Sequence, residues 1–142
     1  MSDEEQHSWN FSSIFLSDHN IIDSIVADIK ETNGLNKLKL LREAVEGHFA
    51  DENEIYNRYK EISQSWIPAI HTIQQQHVDI LNELNRFERE VGGNVNLNLT
   101  ELFLLMRRHR NMEERLLYPE LDSVFSEDQR KEWNNKVANK TK

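Results

Sequence analysis

His109-Arg110-Asn111-Met112-Glu113 places an imidazole and a carboxylate four residues apart inside an apolar run. Leu102-Phe103-Leu104-Leu105-Met106 precedes the pair and Leu116-Leu117-Tyr118 follows it. Positions i and i+4 of a helix share a face, about one turn apart. A neutral imidazole and an ionised carboxylate stacked this way can reach one metal ion, or one each of an adjacent pair. The arrangement recurs as His48-Phe49-Ala50-Asp51-Glu52, while His19 and His77 stand singly.

Apolar residues at steps of three and four extend from these positions in both directions. A first helix runs from an N-cap at Ser12 or Ser13 to about Lys30, with the seam Phe15, His19, Ile22, Val26, Ile29. Thr32-Asn33-Gly34 breaks it. A second runs from about Leu35 to Ile62 (Leu41, Val45, His48, Glu52, Ile55, Tyr59), and Pro68 suits the first turn of a third, from Ile67 to about Val91 (Ile70, Ile73, His77, Ile80, Leu84). Gly92-Gly93-Asn94 ends the third, and Asn98 caps a fourth that reaches Tyr118 before Pro119 interrupts. Leu121 to Phe125 adds a turn, and Ser126-Glu127-Asp128-Gln129 is a capping box opening a fifth, to about Val137. The expected architecture is all-α: an up-down-up-down antiparallel four-helix bundle with a short C-terminal fifth helix. Residues 1–10 form a flexible arm with Trp9 as an anchor, 11–125 the bundle, and 126–142 the short helix and tail.

Composition narrows the function. The chain has 142 residues with only four Gly and two Pro, which favours helix and allows one domain with a real core. Its formal charge of −8 supplies no basic stripe for nucleic acid and disfavours an anionic membrane surface. With no cysteine, thiolate metal sites, iron–sulfur ligation and cysteine catalysis are excluded. No apolar run is long enough to span a membrane, and the acidic start is unlike a signal peptide, so the cytoplasm is the expected compartment.

Counting along the helices tests whether the histidines meet. His19 lies 14 residues before Asn33 and His48 lies 15 after it, so both sit roughly 21–22 Å from that end at ~1.5 Å per residue. His77 and His109 fall at the same level within about a turn. A lone histidine on an apolar face is ordinarily a hydrogen-bonded core residue. Four at one level with Glu52 and Glu113 are different, because buried carboxylates cost several kcal/mol each unless paired or metal-bound. Nitrogen and oxygen ligands without sulfur suit iron, manganese or zinc. Six ligands exceed one tetrahedral zinc site, and two metals bridged by both glutamates use them economically. Open positions on such a pair could hold an oxo or hydroxo bridge and a small exogenous molecule.

The chain resembles the hemerythrin/HHE cation-binding family. The resemblance lies in Asp18-His19, the His48 to Glu52 motif, Gln76-His77, the His109 to Glu113 motif, and the continuation Glu114-Arg115-Leu116-Leu117-Tyr118-Pro119. It implies a non-haem di-iron centre, with His19 and His48 on one iron, His77 and His109 on the other, and both glutamates bridging. The implied partners are O2, NO or peroxide, bound or reacted with. An enzyme or iron donor in peroxide reduction or repair of damaged iron centres is the alternative. Oxygen carriers of the family have a histidine pair one turn apart on the third helix, but Ile73 and Leu81 flank His77 here, which moves the expectation away from plain carriage. The carriers also place the fourth-helix carboxylate five residues after the histidine, at Glu114. Four steps keep the face better, so Glu113 is preferred and Glu114 is the fallback. His71 and His7 are expected at the surface, Tyr59 in the core, the Arg107, Arg108 and Arg110 cluster in solvent, and Ile22, Ile55, Ile80, Met112 and Leu116 as dry walls.

Overall fold

A computed structural model describes residues 10–32, 35–90 and 99–140. The N-terminal arm with Trp9 and His7, the Asn33-Gly34 break, the Gly92-Gly93-Asn94 stop and the Asn98 cap lie outside the described residues. Among those described, the protein is all-helical: α1 (Phe11–Thr32), a 3-10 turn (Leu35–Lys37), α2 (Leu38–Ile62), α3 (Ile67–Glu90), α4 (Leu99–Met112), a π turn (Glu113–Leu117), α5 (Tyr118–Val124) and α6 (Glu127–Lys140). None of these helices is long and apolar enough to cross a membrane.

Helix packing follows the seams. Contacts join α1 to α2, α2 to α3, α3 to α4, and α1 to α5. Two apolar clusters result. One gathers Phe11, Phe15, Ile55, Ile70, Leu121 and Trp133, and the other Ile22, Leu41, Val45, Ile80, Leu84 and Phe103. In each of the four long helical segments the histidine falls in sequence between the residues of the first cluster and those of the second, save that Phe49 of the second cluster follows His48 directly. The polar layer is therefore the waist between two hydrophobic halves.

Three local expectations are corrected. α1 begins at Phe11, before either serine, because its first N–H groups are capped from a distant helix. Asp122 accepts from the Phe11 N–H at 2.6 Å and from the Ser12 hydroxyl at 2.7 Å. An acceptor arriving from α5 satisfies the orphan donors that a local N-cap would otherwise serve. Pro119, expected as a break, lies within a continuous helical rod. Met112, Leu117 and Tyr118 all keep right-handed helical dihedrals, and the Tyr118 N–H reaches back five residues to the Glu113 carbonyl. The wider turn shifts the bonding register just where proline offers no N–H, so the helix passes through it. The same insertion advances the inward step after Glu113 from three residues to four. Leu117 and Tyr118 are buried, while Leu116, expected as a wall of the site, is 46 % exposed.

At the far end, α6 carries the expected capping box. The Gln129 N–H donates to Ser126 Oγ at 3.2 Å, and the Ser126 N–H to Gln129 Oε1 at 2.8 Å. Its one buried aromatic, Trp133, closes the first cluster with edge contacts to Phe11 and Phe15, each 5.2 Å between ring centres.

Candidate metal centre

All six sequence-derived residues converge. His19, His48, His77 and His109 are at most 5 % exposed, and Glu52 and Glu113 are fully buried. They form two overlapping groups, His19–His48–Glu52–Glu113 and Glu52–His77–His109–Glu113, each able to present one ligand atom per residue within 4.8 Å of the others. Glu52 and Glu113 belong to both. These buried His and Glu groups could hold a metal ion.

The separations match the scale of shared coordination. His109 Nε2 lies 3.0 Å from Glu113 Oε1, and His48 Nε2 and His77 Nε2 lie 3.3 and 3.2 Å from Glu52 Oε1. Two ligands each ~2.1 Å from one ion at a right angle stand about 3.0 Å apart. None of these five atoms, the three Nε2 and the two Oε1, has a hydrogen-bond partner despite full burial. Orphaned buried polar atoms are costly, and here they all face one another. The donor set thus fits a cation on chemical grounds.

Each imidazole is oriented by an acceptor on its other nitrogen. His19 Nδ1 donates to Glu114 (3.1 Å), His48 Nδ1 to Asp18 (2.9 Å), His77 Nδ1 to Asn53 (2.9 Å) and His109 Nδ1 to Gln76 (2.8 Å). All four partners are oxygens that only accept, so each ring, when neutral, carries its proton on Nδ1 and points its Nε2 lone pair inward. Every partner is the chain neighbour of a cluster residue on an adjacent helical segment: Asp18 of His19, Asn53 of Glu52, Gln76 of His77, Glu114 of Glu113. The links run α1 to α2, α2 to α3, α3 to α4, and from the π turn back to α1, closing a ring. Phe49 stacks on the His77 ring at 3.9 Å and fixes its plane.

Two tyrosines complete the layer. The Tyr56 hydroxyl donates to Glu113 Oε2 at 2.6 Å; that of Tyr118 donates to Glu52 Oε2, and its oxygen lies 3.1 Å from His19 Nε2. Burial, together with the two glutamates, pushes both phenols well above their ordinary range, so they stay protonated donors. Burial would raise Glu52 too, but His48 beside it, with His77, holds its carboxyl well below the usual range. Burial opposes a proton on His48, yet Glu52 and Asp18 outweigh it and push this imidazole up to about 10. Burial and the neighbouring His48 charge push His19 down to about 4.

A cavity of about 280 Å³ runs from His19, His48 and His109 past Ile22, Val26, Phe49, Ile80, Phe103 and Met106 to Asp23, Lys30 and Arg107 at the surface. Arg110, read from sequence as solvated, is half-buried there, bonded to Asp23 and 3.2 Å from Glu114.

The structure brings Glu113 into the cluster, while Glu114 stands outside it behind His19. His71 is exposed, and Tyr59 is buried among apolar residues with its hydroxyl on Glu120 at 2.6 Å. Sequence reasoning missed Asn53, Tyr56 and Tyr118 as participants, and quoted Asp18 and Gln76 without a role. Their one signal was adjacency to a cluster residue or to its seam. Comparison of the chain with family models, curated proteins and solved structures found no significant match.

Proposed function

We propose that this protein is a non-haem di-iron protein of hemerythrin-like type, an up-down-up-down antiparallel four-helix bundle that binds or reacts with O2, NO or peroxide. The observation that carries the reading is the pair of overlapping groups sharing Glu52 and Glu113: two histidines belong to each half and both carboxylates to the two together. His19 and His48 would hold one iron and His77 and His109 the other. Iron there would supply electrons and open coordination positions for a small exogenous molecule. The Nδ1 acceptors keep four lone pairs aimed inward. The cavity gives a small molecule a route past Ile22, Val26, Phe49 and Ile80 to His19, His48 and His109. The phenols of Tyr56 and Tyr118 hold protons within reach of the carboxylate oxygens.

A second reading, an enzyme of peroxide reduction or an iron donor, draws support from the third helix. Ile73, fully buried, and Leu81 occupy the positions one turn from His77, so each half keeps only two histidines and more of its coordination sphere is open to reaction. Protein purified without added metal should contain close to two irons per chain and absorb in the near ultraviolet. Zinc alone, or less than one metal, would sink the di-iron reading. Mixing the reduced protein anaerobically with O2, NO and peroxide separates the two functions: a stable reversible adduct favours binding, and repeated turnover of peroxide favours the enzyme.

A further inference from the structure

We propose that the two metal positions are unequal, the His19/His48 position holding its ion more tightly and filling first. This inference rests on the two-metal reading and deepens it.

The four Nδ1 bonds have nearly one length, 2.8–3.1 Å, so geometry does not separate the halves. Charge does. Behind His48 and His19 stand the carboxylates of Asp18 and Glu114; behind His77 and His109 stand the amides of Asn53 and Gln76. A carboxylate acceptor makes a charge-assisted bond about twice as strong as a neutral one. It draws the Nδ1 proton and raises the electron density at Nε2, making the ring a stronger donor to a cation. Glu52 and Glu113 are common to both halves and do not distinguish them. Arg110 Nε lies 3.2 Å from Glu114 and offsets part of its charge, so Asp18 is the cleaner determinant. No cation lies against Asp18 other than His48 itself among the ion pairs of the described residues.

The test uses the full chain, stripped by chelator and titrated anaerobically with Co(II) against a chromophoric competitor. Two dissociation constants should emerge, separated by at least about 10-fold, the lower end of what one outer-sphere partner contributes. His109→Ala should remove the looser step and His48→Ala the tighter. Asp18→Asn keeps the side-chain shape and should weaken the tighter step by roughly 10-fold while sparing the looser. Asn53→Asp should tighten the looser step, a gain that damaged folding cannot produce. Two indistinguishable constants, or an Asn53→Asp protein with both steps unchanged, would overturn the inequality and leave the two-metal reading intact. Uptake of one ion or none would overturn both.

Discussion

Glu113→Gln separates a metal ligand from a structural ion-pair partner by the sign of its effect. Glu113 is fully buried, with His109 Nε2 at 3.0 Å, His77 Nε2 at 3.8 Å and the Tyr56 hydroxyl at 2.6 Å. If it served only as the anion of a buried pair, removing it should cost about 3–5 kcal/mol whether or not metal is present. As a shared ligand it should behave differently. In stripped protein the amide keeps the shape and the Tyr56 contact, so the loss should stay within about 1 kcal/mol, the scale of one hydrogen bond. With metal the difference becomes large. One ion at 1,000 times its Kd stabilises the native state by about 4.1 kcal/mol. An unfolding entropy of ~2.1 cal/mol/K per residue over 142 residues converts that to a rise in Tm of about 14 °C. Circular-dichroism melts with and without Fe(II), under nitrogen, should show this rise in the parent protein and almost none in Glu113→Gln. A variant that melts 10 °C lower without metal, or that keeps the full metal-induced rise, would refute the assignment.

Three further outcomes follow from the same geometry. In stripped protein His48, raised to about 10 from 6.5, adds stability that is complete below pH 6.5 and lost as pH climbs toward 10. His19, lowered to about 4, withholds a proton that the unfolded chain takes up, so stability also falls from pH 6.5 toward 4. Urea midpoints should therefore peak near neutrality, and a steady rise from pH 4.5 to 9 would contradict this. Tyr118→Phe deletes a buried hydroxyl bonded to Glu52 and should cost about 1.5–3 kcal/mol by chemical denaturation; a loss under ~0.5 would mean the bond contributes nothing. Trp133→Ala should cost about 3–5 kcal/mol, and a loss below ~1 would show α6 to be peripheral to the core.

How much was readable from sequence depends on what helical periodicity encodes. A fixed rise and a fixed angle per residue tell which face a side chain takes and at what height, so the convergence of His19, His48, Glu52, His77, His109 and Glu113 could be counted out. The same arithmetic favoured Glu113 over Glu114. Periodicity does not say which residue of a neighbouring helix lies opposite. Asp122 capping α1 across 111 positions, and Asn53 and Gln76 reaching the next helix, were invisible for that reason. A polar residue beside a buried one reads as solvated by default. The π turn was the other blind spot: Pro119 signals a break in an α register, and only the widened turn turns it into a continuation. Leu116 was misplaced by that same single residue.

The ring of Nδ1 bonds has a mechanical consequence. Each link joins one helical segment to the next, and the last returns to the first, so the four behave like staves inside a hoop. Turning any one about its axis by a single residue, about 100°, would pull its histidine off one neighbour and its acceptor off the other. Rotational alignment is therefore held at the waist, by the same polar layer that orients the histidines. Changes in connection length should be tolerated by the site far better than a change of acceptor at Asp18, Asn53, Gln76 or Glu114.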